Sequence, residues 1–165
     1  MTDASVIHVP PLDQPHYGIG VVAAVKRFFQ KYATFSGRAS RSEYWCVVLA
    51  FGAFSVPFSI LNGIAASAGA TIDSSGVSQP GPFSTVILVF GLIVVLATIV
   101  PHMALTVRRL HDANLSGLLY LLNLVPYLGS LLLAAIAARP SNPLGARFDR
   151  VRSAADALLD RPADG

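Results

Sequence analysis

The chain has 165 residues, 53% hydrophobic and 13% charged, with a mean hydropathy of +0.59 and a net charge of +3. A soluble domain carries about 25% charged residues, so this chain has too little polar surface to cover a water-exposed body. The modest charge, set along the edges of apolar runs, also argues against nucleic-acid binding.

One domain is expected from the length. Residues 1–17 are polar and proline-rich, with Asp3 and Asp13 and no Lys or Arg. A secretory signal needs a basic start followed at once by an apolar run, so this stretch is expected to be a disordered cytoplasmic lead. A membrane domain is expected over 18–140 and a polar tail over 141–165. From Gly18 to Tyr32 the apolar residues Ile19, Val22, Val25, Phe29 and Tyr32 recur at helical spacing, with Lys26, Arg27 and Lys31 elsewhere. That pattern predicts an amphipathic helix, either lying in the headgroup plane or packed on the protein's own cytoplasmic loop. Gly37 ends it. Ser40 with Glu43 three residues on has the form of a capping box, and Tyr44 and Trp45 stand where interfacial anchors belong.

No Asp, Glu, Lys or Arg occurs between Glu43 and Asp73, between Asp73 and Arg108, or between Asp112 and Arg139. A charge-free apolar run of about 18 residues or more can cross a hydrocarbon core of about 30 Å as a helix. The expected fold is therefore all-α and integral to the membrane, with three transmembrane helices over about 44–68, 83–107 and 117–138. Pro57, Pro101 and Pro126 interrupt them, as membrane helices tolerate. Cys46, the single cysteine, is expected to be a packed thiol, since no base or second ligand stands at helical spacing. In the tail, Ser153 to Asp160 is expected to form a short helix, with the last five residues frayed.

Basic residues set orientation. Lys26, Arg27, Lys31, Arg38 and Arg41 precede the first span, Arg108 and Arg109 follow the second, and the loop 69–82 has none. The amino terminus is thus expected in the cytoplasm. Three crossings put the tail outside, a tally of 7 basic residues inside against 5 outside. A re-entrant turn at Pro126 would bring all 12 inside, but 22 apolar residues are too few for two full crossings. Three crossings are expected, against the charge rule.

Two polar clusters fall at the same membrane face. One holds Arg38, Arg41 and Glu43, the other Arg108, Arg109, His111 and Asp112. Ionisable groups beside a membrane are costly unless paired or hydrated, so ion pairs are expected, Glu43 with Arg108 or Arg109 and Asp112 with Arg38 or Arg41. The functional alternative is an anion site, with guanidinium forks gripping the phosphate of an anionic phospholipid. His111 and Asp112 are adjacent and so point apart on a helix, and only Ser116 is a nearby nucleophile. No enzyme is expected, and neither metal nor other cofactor. His102, His111 and Asp112 lack a compact ligand pattern.

The run from Tyr32 through Phe35, Ser36, Gly37, Arg38, Arg41, Glu43 and Tyr44 to Trp45 resembles the opening motif of the domain of unknown function 805 family, small bacterial inner-membrane proteins. Arg108-Arg109-Leu110-His111-Asp112, then Ser116-Gly117, resembles its second motif. The family usually has tryptophan after that Ser-Gly, where this chain has Leu118. Its closing Asn-x-aromatic-Gly pattern is blurred around Asn142 to Phe148. The resemblance implies a multi-pass inner-membrane protein and supplies no reaction. The expected function is a non-enzymatic module that binds membrane lipid, an anionic phospholipid in particular, or a partner membrane protein or second copy, through the arginine clusters. Small residues at Gly52, Gly63 and Gly91 would allow close helix packing. The alternatives are an oligomeric transporter or channel component with Asn62, His102 and Asn123 along its path, and an enzyme on a lipid-linked phosphate.

Overall fold

The computed structural model describes residues 10–12 and 14–149. Its frame is a pair of long antiparallel helices, α2 (Arg41–Ser67, 27 residues) and α3 (Pro82–Asp112, 31 residues), both long and apolar enough to cross a membrane. At about 1.5 Å per residue each exceeds the thickness of a bilayer core. Ser40 starts α2: its Oγ accepts from the Glu43 N–H at 3.1 Å. Pro82 opens α3, where its missing N–H costs nothing. At the far end of α3, Asn114 takes φ +59°. Its N–H donates to the His111 carbonyl and that of Leu115 to the Leu110 carbonyl, both at 2.9 Å. This is a Schellman stop, with asparagine in the left-handed position.

The connection between the two helices is a short antiparallel ribbon of β1 (Thr71–Ile72) and β2 (Ser78–Gln79), pairing Thr71 with Gln79 and Ile72 with Ser78. Asp73 folds its turn by accepting from the Ser75 and Val77 N–H groups and the Gln79 amide. Those bonds favour its ionised form and lower its pKa. Gly69 and Gly81 let the two chain ends meet here, since a Cβ on Gly81 would lie 2.8 Å from the Gly69 Cα.

The opposite, charged end is built up further. Helix α1 (Val21–Gln30) packs across α2 and α3, burying Ala24, Arg27 and Phe28. Phe28 lies edge-on to His102 and tilted against Phe51, at 5.3 and 5.4 Å between ring centres. With Ile19, Ala39, Val47 and Leu105 these residues form the core. The face of α1 that turns inward joins Ala24 and Phe28 to charged groups, and most of the apolar stripe read from periodicity does not turn inward with them. Arg27 and Lys31 point into the protein, while Val22 stays 85% exposed and Phe29 and Tyr32 are exposed too. Ahead of α1, residues 10–12 and 14–17, expected to be disordered, run over this end as a strap. The Arg27 guanidinium holds the carbonyls of Pro10, Pro11 and Gln14.

The single helix expected over 117–138 does not form. A 3-10 helix (Gly117–Leu124) runs out, and α4 (Leu128–Ala137) runs back. Pro126 has no N–H to continue the first arm. Tyr127 turns the chain with φ +61° and ψ −56°, a γ-turn of the strained, positive-φ kind. Gly129 then lies so close to the Leu122 carbonyl that a Cβ would collide with backbone. Gly129→Ala is accordingly expected to cost about 1–3 kcal/mol through forced separation of the two arms. Unfolding midpoints in detergent micelles check this against Gly52→Ala, whose Cβ would meet nothing within 4 Å. Both ends of the hairpin return to the charged end of α3. After it, a 3-10 turn (Pro143–Phe148) docks there too. The helix expected over Ser153 to Asp160 and the frayed end lie outside the described residues.

Candidate functional site

The charged end holds every residue singled out in the two motifs, but the partners differ from those expected, and the burial sorts them into two groups.

Glu43 lies at the centre of the first group. It is fully buried, with the Arg27 Nε at 3.8 Å and the Lys31 Nζ at 3.7 Å from its Oε1. Its carboxylate therefore does not reach back to close the capping box begun by Ser40, whose hydroxyl instead donates to the His16 carbonyl at 2.5 Å. Nor does it lie within ion-pair distance of Arg108 or Arg109, although it attracts Arg108 across the cluster. Arg108 is 1% exposed and donates from Nη1 to the carbonyls of Lys31 (3.2 Å) and Thr34 (2.5 Å). It thereby pins the end of α1 and the loop that follows to α3. Three buried cations surround one buried carboxylate, and among the described residues Glu43 is the one acidic group in ion-pair contact with any of them. Periodicity missed Arg27 and Lys31 because it counts apolar residues and cannot see a buried charge partner 12–16 residues away.

Burial dominates the chemistry of Lys31. It disfavours the ammonium more than Glu43 favours it, and Arg108 and Arg27 add repulsion, so its pKa falls from 10.5 to about 8. Between those values the unfolded chain binds more protons than the folded one, so this group makes stability rise with pH from about 8 to 10.5. The gain is at most about 3 kcal/mol. Unfolding free energies measured across that range should climb in the native protein and lose this climb in Lys31→Met.

Asp112 is the centre of the second group, also fully buried. Its partner is Arg109, one turn back on α3, rather than Arg38 or Arg41. The same guanidinium donates from Nε to the Ala137 carbonyl at 2.8 Å and from Nη2 to the Arg139 carbonyl. One side chain thus closes the last turn of α3 and caps the free carbonyls of α4. Ser141 and Tyr17 donate to the Asp112 carboxylate as well, and its backbone carbonyl accepts from Asn142. Arg38 pairs with Asp149 through two nitrogens, at 2.7 and 3.0 Å, and this bond raises its pKa. His111 stacks on Phe148 with ring centres 4.1 Å apart and planes 4° from parallel. Its Nδ1 is 3.2 Å from the Gly37 carbonyl. A carbonyl only accepts, so Nδ1 carries the proton.

The tail was the weakest part of the sequence pattern, yet Ser141, Asn142, Gly145, Phe148 and Asp149 all belong to this site. A Cβ on Gly145 would strike the His111 carbonyl. The glycine and aromatic residues of the blurred closing pattern were the available signal. Tyr44 and Trp45 are half-buried and edge-to-face at 5.5 Å, with Tyr44 packed against the core as well as near the surface. Arg41 is the exception among the motif arginines. It is exposed and pairs with no carboxylate among the described residues. It lines a cleft of about 500 Å³ with Tyr17, Gly18, Ser42, Pro140 and Ser141. Arg139, also exposed, lines an adjoining cleft that shares Pro140 and Ser141. No group of three or more metal-ligating side chains is present among the described residues.

The family model described as "Protein of unknown function (DUF805)" matches residues 32–150, which take in α2, α3, the apolar hairpin and the docked tail. The chain is 35% identical over 111 residues to the inner membrane protein YhaI of Escherichia coli K12, covering 63% of this chain and 73% of that protein. It is 28% identical over 122 residues to the inner membrane protein YhaH of the same organism, covering 74% and 89%. No solved structure matches it significantly. With both arginine motifs, the spans between them and the docked tail inside the matched region, the chain belongs to the DUF805 family.

Proposed function

We propose that this chain is a non-enzymatic, multi-pass protein of the bacterial inner membrane that holds an anionic phospholipid headgroup at its charged, cytoplasmic end. The observation that carries this is the division of the arginines. Arg38, Arg109 and, through its Nη1 alone, the fully buried Arg108 hold internal bonds and act as scaffold. Arg41 and Arg139 remain exposed beside clefts that meet at Pro140 and Ser141. A phosphate there would meet two guanidinium groups near the headgroup level, where such forks bind bidentately. Catalysis has little to draw on. His111 is stacked and bonded, Asp112 is shared among Arg109, Ser141 and Tyr17, and Ser116 caps the hairpin by accepting from the Leu118 N–H. A transport path fares no better, since His102 is wedged against Phe28 and Phe51.

In this arrangement α2 and α3 are the two crossings, and the apolar hairpin enters and leaves on the cytoplasmic side. Every Lys and Arg among the described residues lies on α1, at the charged ends of α2 and α3, or in segments packed there. The ribbon side has none, which satisfies the positive-inside rule that three crossings would strain. Both termini are then cytoplasmic. A green fluorescent protein fused to the carboxyl terminus should fluoresce and an alkaline phosphatase fusion there should be inactive; the reverse result overturns the arrangement.

Headgroup binding is tested by native mass spectrometry of gently purified protein beside Arg41→Gln/Arg139→Gln. A discrete anionic phospholipid is expected on the native protein and lost from the variant, with unchanged circular dichroism. Equal lipid on both forms overturns the assignment.

A further inference from the structure

The two long helices are flanked very unequally along their length. Among the described residues they stand as a bare pair toward the ribbon, closed by the contact of Gly69 with Gly81. Toward the charged end the two arms of the hairpin run beside α3, so four chain segments occupy that half against two in the other. Helix α1 lies across the same end. The hairpin arms are a 3-10 helix of 8 residues and an α-helix of 10. At about 2.0 and 1.5 Å per residue they span roughly 15 Å, half of a bilayer core of about 30 Å. Their length thus suits one leaflet and no more.

Their chemistry suits it as well. Residues 113–138 carry no charge, and Leu118, Leu124, Leu128 and Leu131 are exposed, with Tyr127 at the tip 90% exposed. Both ends are tied at the polar level, one by the Schellman stop and the other by Arg109. Helix α1 presents Val22 and Phe29 outward, and just past its end the Tyr32 hydroxyl donates to the Ala97 carbonyl at 2.7 Å. Ala97 lies 11 residues up α3 from Arg108, about 16 Å at helical rise. The Tyr32 side chain, next to the exposed Phe29 at the end of α1, thus reaches below the polar level.

We propose that the chain is a one-leaflet wedge, whose α1 and hairpin are covered by acyl chains of the cytoplasmic leaflet, and that it concentrates where this leaflet is convex. The extra cross-section lies wholly in one half of the bilayer, so a leaflet already expanded by curvature takes it with less lipid displaced. This rests on the two-crossing arrangement above and not on headgroup recognition at Arg41.

The test uses the labelled full chain in giant vesicles of zwitterionic phosphatidylcholine, so net headgroup charge plays no part. A membrane tube is drawn from each vesicle, and orientation is read from access to a tag on the tail. Molecules with the tail outward should be denser in the tube than in the parent vesicle, and those with the tail inward sparser. Equal density in both overturns the proposal. Insertion itself is read in Trp45→Phe/Tyr127→Trp, which moves the only tryptophan to the hairpin tip. Quenching by lipid brominated midway along its chains is expected; quenching by aqueous acrylamide instead overturns it. Tube enrichment that survives Arg41→Gln/Arg139→Gln, with lipid lost in mass spectrometry, keeps the wedge and the headgroup site distinct. Enrichment retained together with equal lipid on both forms would sink the headgroup site alone.

Discussion

Glu43→Gln is expected to destabilise the protein by about 3–5 kcal/mol, the range for a buried charge left without its partner. The substitution keeps the size and shape of the side chain and removes only its charge. Arg27, Lys31 and Arg108, each at most 5% exposed, then face one another without the one carboxylate that pairs with this cluster among the described residues. Their other bonds cannot compensate, because the carbonyls that the Arg27 and Arg108 guanidinium groups hold bring no net charge, and the Arg108 Nε and Nη2 have no hydrogen-bond partner among the described residues. Unfolding in detergent micelles followed by circular dichroism measures the loss. A second-site Lys31→Met should recover part of it, since one repelling charge goes and an apolar chain fills its place. The two changes should therefore be far from additive, as expected for groups in one network. A loss below about 1 kcal/mol would mean that the cluster is hydrated enough to behave like a surface pair.

Arg109→Lys is expected to cost about 2–3 kcal/mol even though the charge is kept. Arg109 reaches three acceptors on separate segments: the Asp112 carboxylate and the carbonyls of Ala137 and Arg139. A planar fork can span them; a single ammonium on a flexible stem cannot. Each bond to a charged donor contributes about 1.5–3 kcal/mol and leaves a buried acceptor unsatisfied when lost. The freed end of α4 gives a second readout. Limited trypsin digestion should cut at Arg147 faster in the variant than in the native protein; the bond after Arg139 is protected by Pro140. Arg109→Met should lose more, about 3–5 kcal/mol, because Asp112 is then a buried carboxylate with no cation. Unchanged proteolysis together with lost stability would place the effect in the last turn of α3 alone and leave the hairpin anchored by other contacts.

Both predictions concern residues found in the sequence, paired with partners that the sequence did not reveal. Glu43 and Asp112 stood out because a carboxylate beside an apolar run must be neutralised. Which cation neutralises each depends on how α1 and the hairpin pack, and that is not a local property. Arg109 reaches Asp112 because helical rise puts residues three apart on one face, whereas the expectation from the two motifs pairs Asp112 with Arg38 or Arg41. The helical period sets Arg27 and Lys31 apart from the apolar stripe, and a basic amphipathic helix lying in the headgroup plane turns such cations toward anionic lipid. The packed protein turns them the other way. Val22 and Phe29 are exposed, as side chains facing acyl chains would be, and the cations turn in toward Glu43.

The amino-acid sequence was enough for the membrane class, the two long helices, the Ser40 start of α2 and the family. Each of these follows from local composition: charge-free length, a hydroxyl at the cap, and two motifs in order. It was not enough for the third apolar stretch. Twenty-two apolar residues satisfy the length of a span, and Pro126 alone does not forbid one. The hairpin exists because Gly129 lets the returning arm touch Leu122, and because Arg109 and Asp112 hold its far end beside its beginning. Those contacts join residues 7 to 30 positions apart, and their free energy is realised only when the chain has folded back on itself.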